Sequence, residues 1–110
     1  MIKNLTPHAI VIMTPEGVVK KEFPSEGLAR ATQSITPCGE MDGISVVETK
    51  FSTPEGLPEP VPGTYLVVSA ITAQAAKAAG RTTADLLLTS RPIRDEKGQI
   101  IGCEGFAIFS

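Results

Sequence analysis

The sequence predicts an α+β domain: mainly antiparallel β, as a barrel-like or open sheet, with one short helix packed on it. Three observations lead there. The 110 residues carry 10 glycines, 9 prolines and no tryptophan, a composition that implies many turns between short elements. Short apolar runs recur between Pro/Gly-bearing tetrapeptides, as strands do. A single segment, after Val68, is alanine-rich and closed by a glycine, which reads as a helix.

The elements follow in order. Ala9 to Met13 (AIVIM) is a continuous apolar run, the pattern of a strand buried on both faces. "TPEG" at 14–17 is a turn, because proline presets φ and glycine supplies the left-handed option. Val18 to Phe23 returns as its hairpin partner, and "PSEG" at 24–27 turns again. Leu28 to Thr36 reads as a strand with one polar face, 36–43 as a loop, and Ile44 to Phe51 as a further strand. A second "TPEG" at 53–56 reads as a second hairpin turn rather than an internal repeat. "GLPEPVPG" (56–63) is a stiff polyproline-like connector, since three of its residues lack an N–H.

Thr64 to Val68 is the clearest strand, β-branched, aromatic and apolar. Ser69 then caps a helix over "AITAQAAKAA", stopped by Gly80. Ile71, Ala75, Ala78 and Ala79 share one face, and Gln74, Lys77 and Arg81 another. A minor helical turn is expected from Thr82 or Thr83 over Ala84 to Leu87. Asp95 to Gly98 turns a closing hairpin between Ser90–Arg94 and Gln99–Phe109, with Gly102 and Gly105 marking a bulge or a tight backbone approach. The whole chain reads as one domain, 1–110, of about six or seven strands and one helix.

Charge and cysteine usage narrow the function. A net charge of −2 offers no broad basic face, so duplex nucleic acid is not an expected partner. No run approaches the roughly 18 apolar residues of a membrane span, so no membrane is expected. Nothing at the start reads as a signal peptide, with Asn4, Thr6, Pro7 and His8 inside the would-be apolar region. Cys38 and Cys103 lie far apart and outside any CxxC pair, which points to reduced thiols and a cytoplasmic location.

The chain shows no Walker loop, GxGxxG, HExxH or GxSxG, and its one histidine and two distant cysteines lack zinc-ligand spacing. No catalytic residue, metal or cofactor is therefore expected. A binding site is easier to assemble. Ser69 opens a helix, whose free N–H groups suit an anion, although plain capping also explains it. Arg91 and Arg94 flank Pro92 with two planar guanidinium forks, although surface ion pairs with Asp95 or Glu104 explain them too. His8 either joins such a site or only starts a strand, its ring bonded to a backbone carbonyl.

The opening "NLTPHAIVI", the block "GLPEPVPGTYLVVSAITAQAA" and the closing "RPIRDEKGQIIGCEGF" together resemble a family of small proteins encoded largely by bacteriophages, prophages and bacterial genomes. The resemblance covers roughly half of the chain and brings no catalytic residues with it. It implies a phage-type accessory protein, in the host cytoplasm if phage-encoded, that folds alone or as a homo-oligomer. The expectation is non-enzymatic capture of a small phosphorylated or nucleotide-like ligand through His8, Ser69, Arg91 and Arg94, countering a host defence signal. Two alternatives remain open: a virion or assembly accessory binding protein along a strand edge, and a small hydrolase or thiol enzyme pairing His8 with Cys103.

Overall fold

The computed structural model describes residues 1–109 and contains eight strands and one helix. They are β1 (Ile2–Asn4), β2 (Ile10–Met13), β3 (Val19–Phe23), β4 (Gln33–Met41), β5 (Ile44–Phe51), β6 (Tyr65–Val67), α1 (Ala70–Ala78), β7 (Leu86–Arg94) and β8 (Ile100–Ile108). Six strands form one mixed sheet in the order β1-β6-β7-β8-β2-β3, and β4 and β5 pair only with each other. The long ladders are antiparallel: β4 with β5, β7 with β8, and β2 with β3. The parallel contacts, β1 with β6, β6 with β7 and β2 with β8, are short. The result is an α+β fold with one short helix.

The sheet curls until the chain just beyond one edge strand reaches the other edge strand at a single bridge, leaving β3 itself without a second neighbour among the described residues. Beyond β3 the chain continues to Ser25, which bridges to Asn4 of β1, and the Glu26 N–H donates to the Asn4 carbonyl at 2.9 Å. Buried Asn4 fastens this seam. Its Nδ2 donates to the His8 carbonyl at 2.8 Å and the Phe23 carbonyl at 2.9 Å, while its Oδ1 accepts from the Thr6 N–H and hydroxyl. Alternation along the strands then fills both sides of the roll. Ile10, Val67, Leu87 and Cys103 cluster with Ile2, Ile12, Phe23 and Phe106. Phe23 and Phe106 meet edge to face with centroids 5.5 Å apart. On the other side Leu66, Val68 and Leu86 join Leu5, Ala29 and the helix alanines Ala73 and Ala76.

The helix lies where Ser69 and Gly80 place it. The Ser69 hydroxyl accepts from the Thr72 N–H, and Gly80 (φ +86) closes a Schellman motif through Gly80 N–H to Lys77 O and Arg81 N–H to Ala76 O. Its buried face is Thr72, Ala73, Ala75 and Ala76 rather than the expected Ile71, Ala75, Ala78 and Ala79. Small side chains bring the helix close to the sheet, and Thr72 donates to the Ala29 carbonyl from a fully buried position. Ile71 is left at the surface.

Three further expectations change. The segment after Thr82 makes a turn at Ala84–Asp85 and enters β7, not a second helical turn. Arg81, beyond the helix end, is not a free surface cation: it pairs bidentately with Asp85 at 2.9 and 3.0 Å and donates to the Pro58 carbonyl, pinning the proline-rich connector. The second "TPEG" turns no hairpin, because Glu55 pairs with Arg30 and prolongs the β4–β5 ladder.

The strand expected over 28–36 begins only at Gln33, and the expected loop at 36–43 is the end of β4 and a tight turn. Asp42 (φ 52) and Gly43 (φ 78) both adopt positive φ, as a two-residue type I′ hairpin requires. Pro37 is tolerated because the register slips between Pro37 and Gly39. The hairpin stands out from the roll as an arm, with every β4 residue exposed.

Candidate functional site

Parallel β2 and β8 share one register pair, Ile12 with Cys103. They are held tightly there because position 102 is glycine. A Cβ on Gly102 would lie 2.5 Å from the Met13 sulfur and 2.8 Å from the Val11 carbonyl oxygen. This is the tight approach expected of Gly102; Gly105 has open space around it. Next to this pinch point is a cleft of about 480 Å³, lined by His8, Ala9, Ile10, Val11, Thr89, Pro92, Ile100, Ile101, Gly102 and Cys103. The volume falls in the range of small-molecule sites, roughly 300–1,000 Å³. The walls are aliphatic, and the polar side chains are His8, Thr89 and the Cys103 thiol.

Strand directions gather the expected residues at one end of the roll. The start of β2, the start of β8 and the end of β7 all lie there, so His8, Arg91 and Arg94 share that end with the cleft. His8 occupies the bend before β2, its carbonyl accepting from Asn4 and Thr6, and it lines the cleft. Arg94 donates to the Gly98 carbonyl at 2.7 Å, bracing its own hairpin turn rather than pairing with Asp95 or Glu104.

Arg91 is the unusual one. It has φ 55 in the middle of a strand, between Ser90 and Pro92, which pair regularly with Gly105 and Cys103. A bulky side chain in the left-handed region costs on the order of 1 kcal/mol or more, and such outliers concentrate at functional positions. Its exposed guanidinium makes no hydrogen bond or ion pair among the described residues. Arg91→Gly removes the strain, so the variant should melt at the same temperature as the parent or a few degrees higher. Arg91→Ala keeps a Cβ at the same positive φ and should gain nothing over the parent. Thermal unfolding of the two variants side by side checks this.

Ser69 does not line the cleft. Its hydroxyl is taken up by capping, accepting from the Thr72 N–H and lying 2.8 Å from the Thr72 hydroxyl. Continuing the β6–β7 register by two residues sets it level with Thr89, on the same end of the sheet.

His8 and Cys103 line the same cleft, as a thiol enzyme would need. Burial, however, pushes the Cys103 thiol above its ordinary value, against hydrogen bonds with the Gly105 and Ser90 backbone that act the other way. A buried thiol held protonated is a poor nucleophile. Two consequences follow. Exposed Cys38 should alkylate quickly in the native protein while Cys103 waits for unfolding. Because the folded thiol binds its proton more tightly than the unfolded one, its contribution to stability is complete below pH 9 and falls as pH rises further. Denaturant titrations at pH 7 and pH 10 should show that decline in the parent, and less of it in Cys103→Ala.

Among the described residues no group of three or more His, Cys, Asp or Glu could hold a metal ion, and no helix is long and apolar enough to cross a membrane. Comparison with protein-family models, with curated proteins and with solved structures finds no match.

Proposed function

We propose that the protein is a non-enzymatic binder of a small ligand with a planar, largely apolar body and an anionic group, such as a nucleotide derivative. The carrying observation is the cleft between β2 and β8, with strained and unpaired Arg91 next to its wall residue Pro92. Aliphatic walls of Ala9, Ile10, Val11, Pro92 and Ile101 take the ring system, and His8 and Thr89 orient it. Arg91 supplies a bidentate fork to the anionic group at the rim. Arg94 adds positive charge from the same end. The resemblance to phage-type proteins gives the reading its context, sequestration of a defence signal in the host cytoplasm.

Native mass spectrometry of the purified protein, with nucleotide screening by thermal shift, tests this. A ligand at about 100 times its Kd adds about 2.7 kcal/mol, a rise on the order of 10 °C for a domain of this size. Arg91→Ala should weaken binding about 10- to 100-fold, the worth of a charged hydrogen bond. If no ligand is released and no nucleotide raises the melting temperature, the reading fails.

A further inference from the structure

We infer that the β4–β5 arm is a self-association device: two copies of the chain exchange arms, each arm seating its acidic, apolar tip along the β3 edge of the other. The chain exposes more surface than a lone domain of its mass. A monomer of this mass should expose about 5,800 Å², whereas this chain exposes 7333 Å². The excess, about 1,500 Å², exceeds the roughly 800 Å² per partner of a standard interface and suits a permanent homodimer. The radius of gyration agrees, at 16.5 Å against about 13 Å for a globular domain of this length.

The arm presents large apolar side chains to solvent. Ile35, Met41 and Ile44 are 60%, 67% and 68% exposed, and Val47 shares a face with Ile35. A two-stranded ribbon with both faces wet is marginal by itself in water. Helix α1 touches β5 and Val46 and Phe51 are half-buried, but among the described residues Ile35, Met41, Ile44 and Val47 stay exposed.

The arm tip and the β3 edge carry opposite charges. The arm tip carries Glu40 and Asp42, neither of them in an ion pair among the described residues. β3 is the last strand of its sheet, and Val18 and Val19 at its start are 60% and 56% exposed. Lys20 and Lys21 follow directly. Lysines on an open edge repel most strands, but they suit an acidic one that brings isoleucine and methionine to the exposed valines. Val19 is level with Met13, beyond the cleft wall, and none of these β3 residues lines the cleft, so the inference does not rest on the ligand reading. Reciprocal exchange closes the assembly as a two-fold dimer.

Charge reversal in two separate chains tests it. Light scattering behind size exclusion should find the parent as a dimer at micromolar concentration. E40K/D42K and K20E/K21E should each run as monomers with unchanged circular dichroism, because in each homodimer like charges would face each other. Mixed one to one, they should return to a dimer containing one copy of each, since both contacts are then matched. A monomeric parent, a higher-order assembly, a dimer indifferent to either pair, or a mixture that stays monomeric would each overturn the inference.

Discussion

Asn4→Ala is expected to remove about 3–4 kcal/mol of stability, a large part of the 5–15 kcal/mol typical of a domain. Asn4 is fully buried, and all four of its side-chain hydrogen bonds are made. Alanine leaves the Phe23 carbonyl and the Thr6 N–H, both part-buried, short of a partner, and a group so orphaned costs about 1–3 kcal/mol. The loss falls at the seam where β1 meets the end of β3. Denaturant unfolding should therefore show a lower midpoint, and amide exchange should accelerate first in residues 2–6 and 23–26. Asn4→Asp sharpens the test. It keeps the acceptor for Thr6 but turns a carboxylate toward two carbonyl oxygens, so its folded pKa must rise. Its stability should be greatest in acid and fall as pH climbs above the unfolded carboxyl value of about 3.9.

Gly102→Ala is the second large effect, expected at about 2–3 kcal/mol, the cost of forcing a methyl into a filled space. Met13 could in principle swing its sulfur away, but it is itself buried, and the Val11 oxygen belongs to the backbone of the neighbouring strand. The β2–β8 seam has to open, and the cleft walls move with it. A drop in melting temperature on the order of 10 °C should accompany loss of ligand response. Gly105→Ala is the matched control: nothing lies within 4 Å of its added Cβ, and the change should stay within about 0.5 kcal/mol.

Local chemistry made several elements legible in the sequence. The Ser69 cap, the Gly80 stop and the turns at 14–17 and 95–98 depend on neighbours in the chain, and they stand where expected. β1 was missed because a three-residue strand has no pattern of its own; it exists because β6 and the Ser25 segment flank it. The loop reading of 36–43 passed over the Asp42-Gly43 pair, a strong hairpin signal. At the site, His8 carried a visible mark as the lone histidine after a proline. The apolar walls did not, since Ile100 and Ile101 become a cleft only when β8 lies beside β2. Arg81 was read as a helix-face cation because its partners, Asp85 and Pro58, are brought to it by tertiary structure.

The sheet order also constrains when the molecule can come into being. β8 is made last, yet it sits between β7 and β2, and Ile12 waits for Cys103 across nearly the whole chain. β1 waits for β6 in the same way, Ile2 for Tyr65. Pairings so distant in sequence close slowly, because chain entropy is lost before contacts repay it. On a ribosome the roll cannot close until β8 has cleared the exit tunnel. The β4–β5 ribbon, held by an Asp-Gly turn, needs no distant partner and can form in about microseconds. The nascent chain thus exposes the ribbon's apolar residues Ile35, Met41 and Ile44 before β8 can close the core.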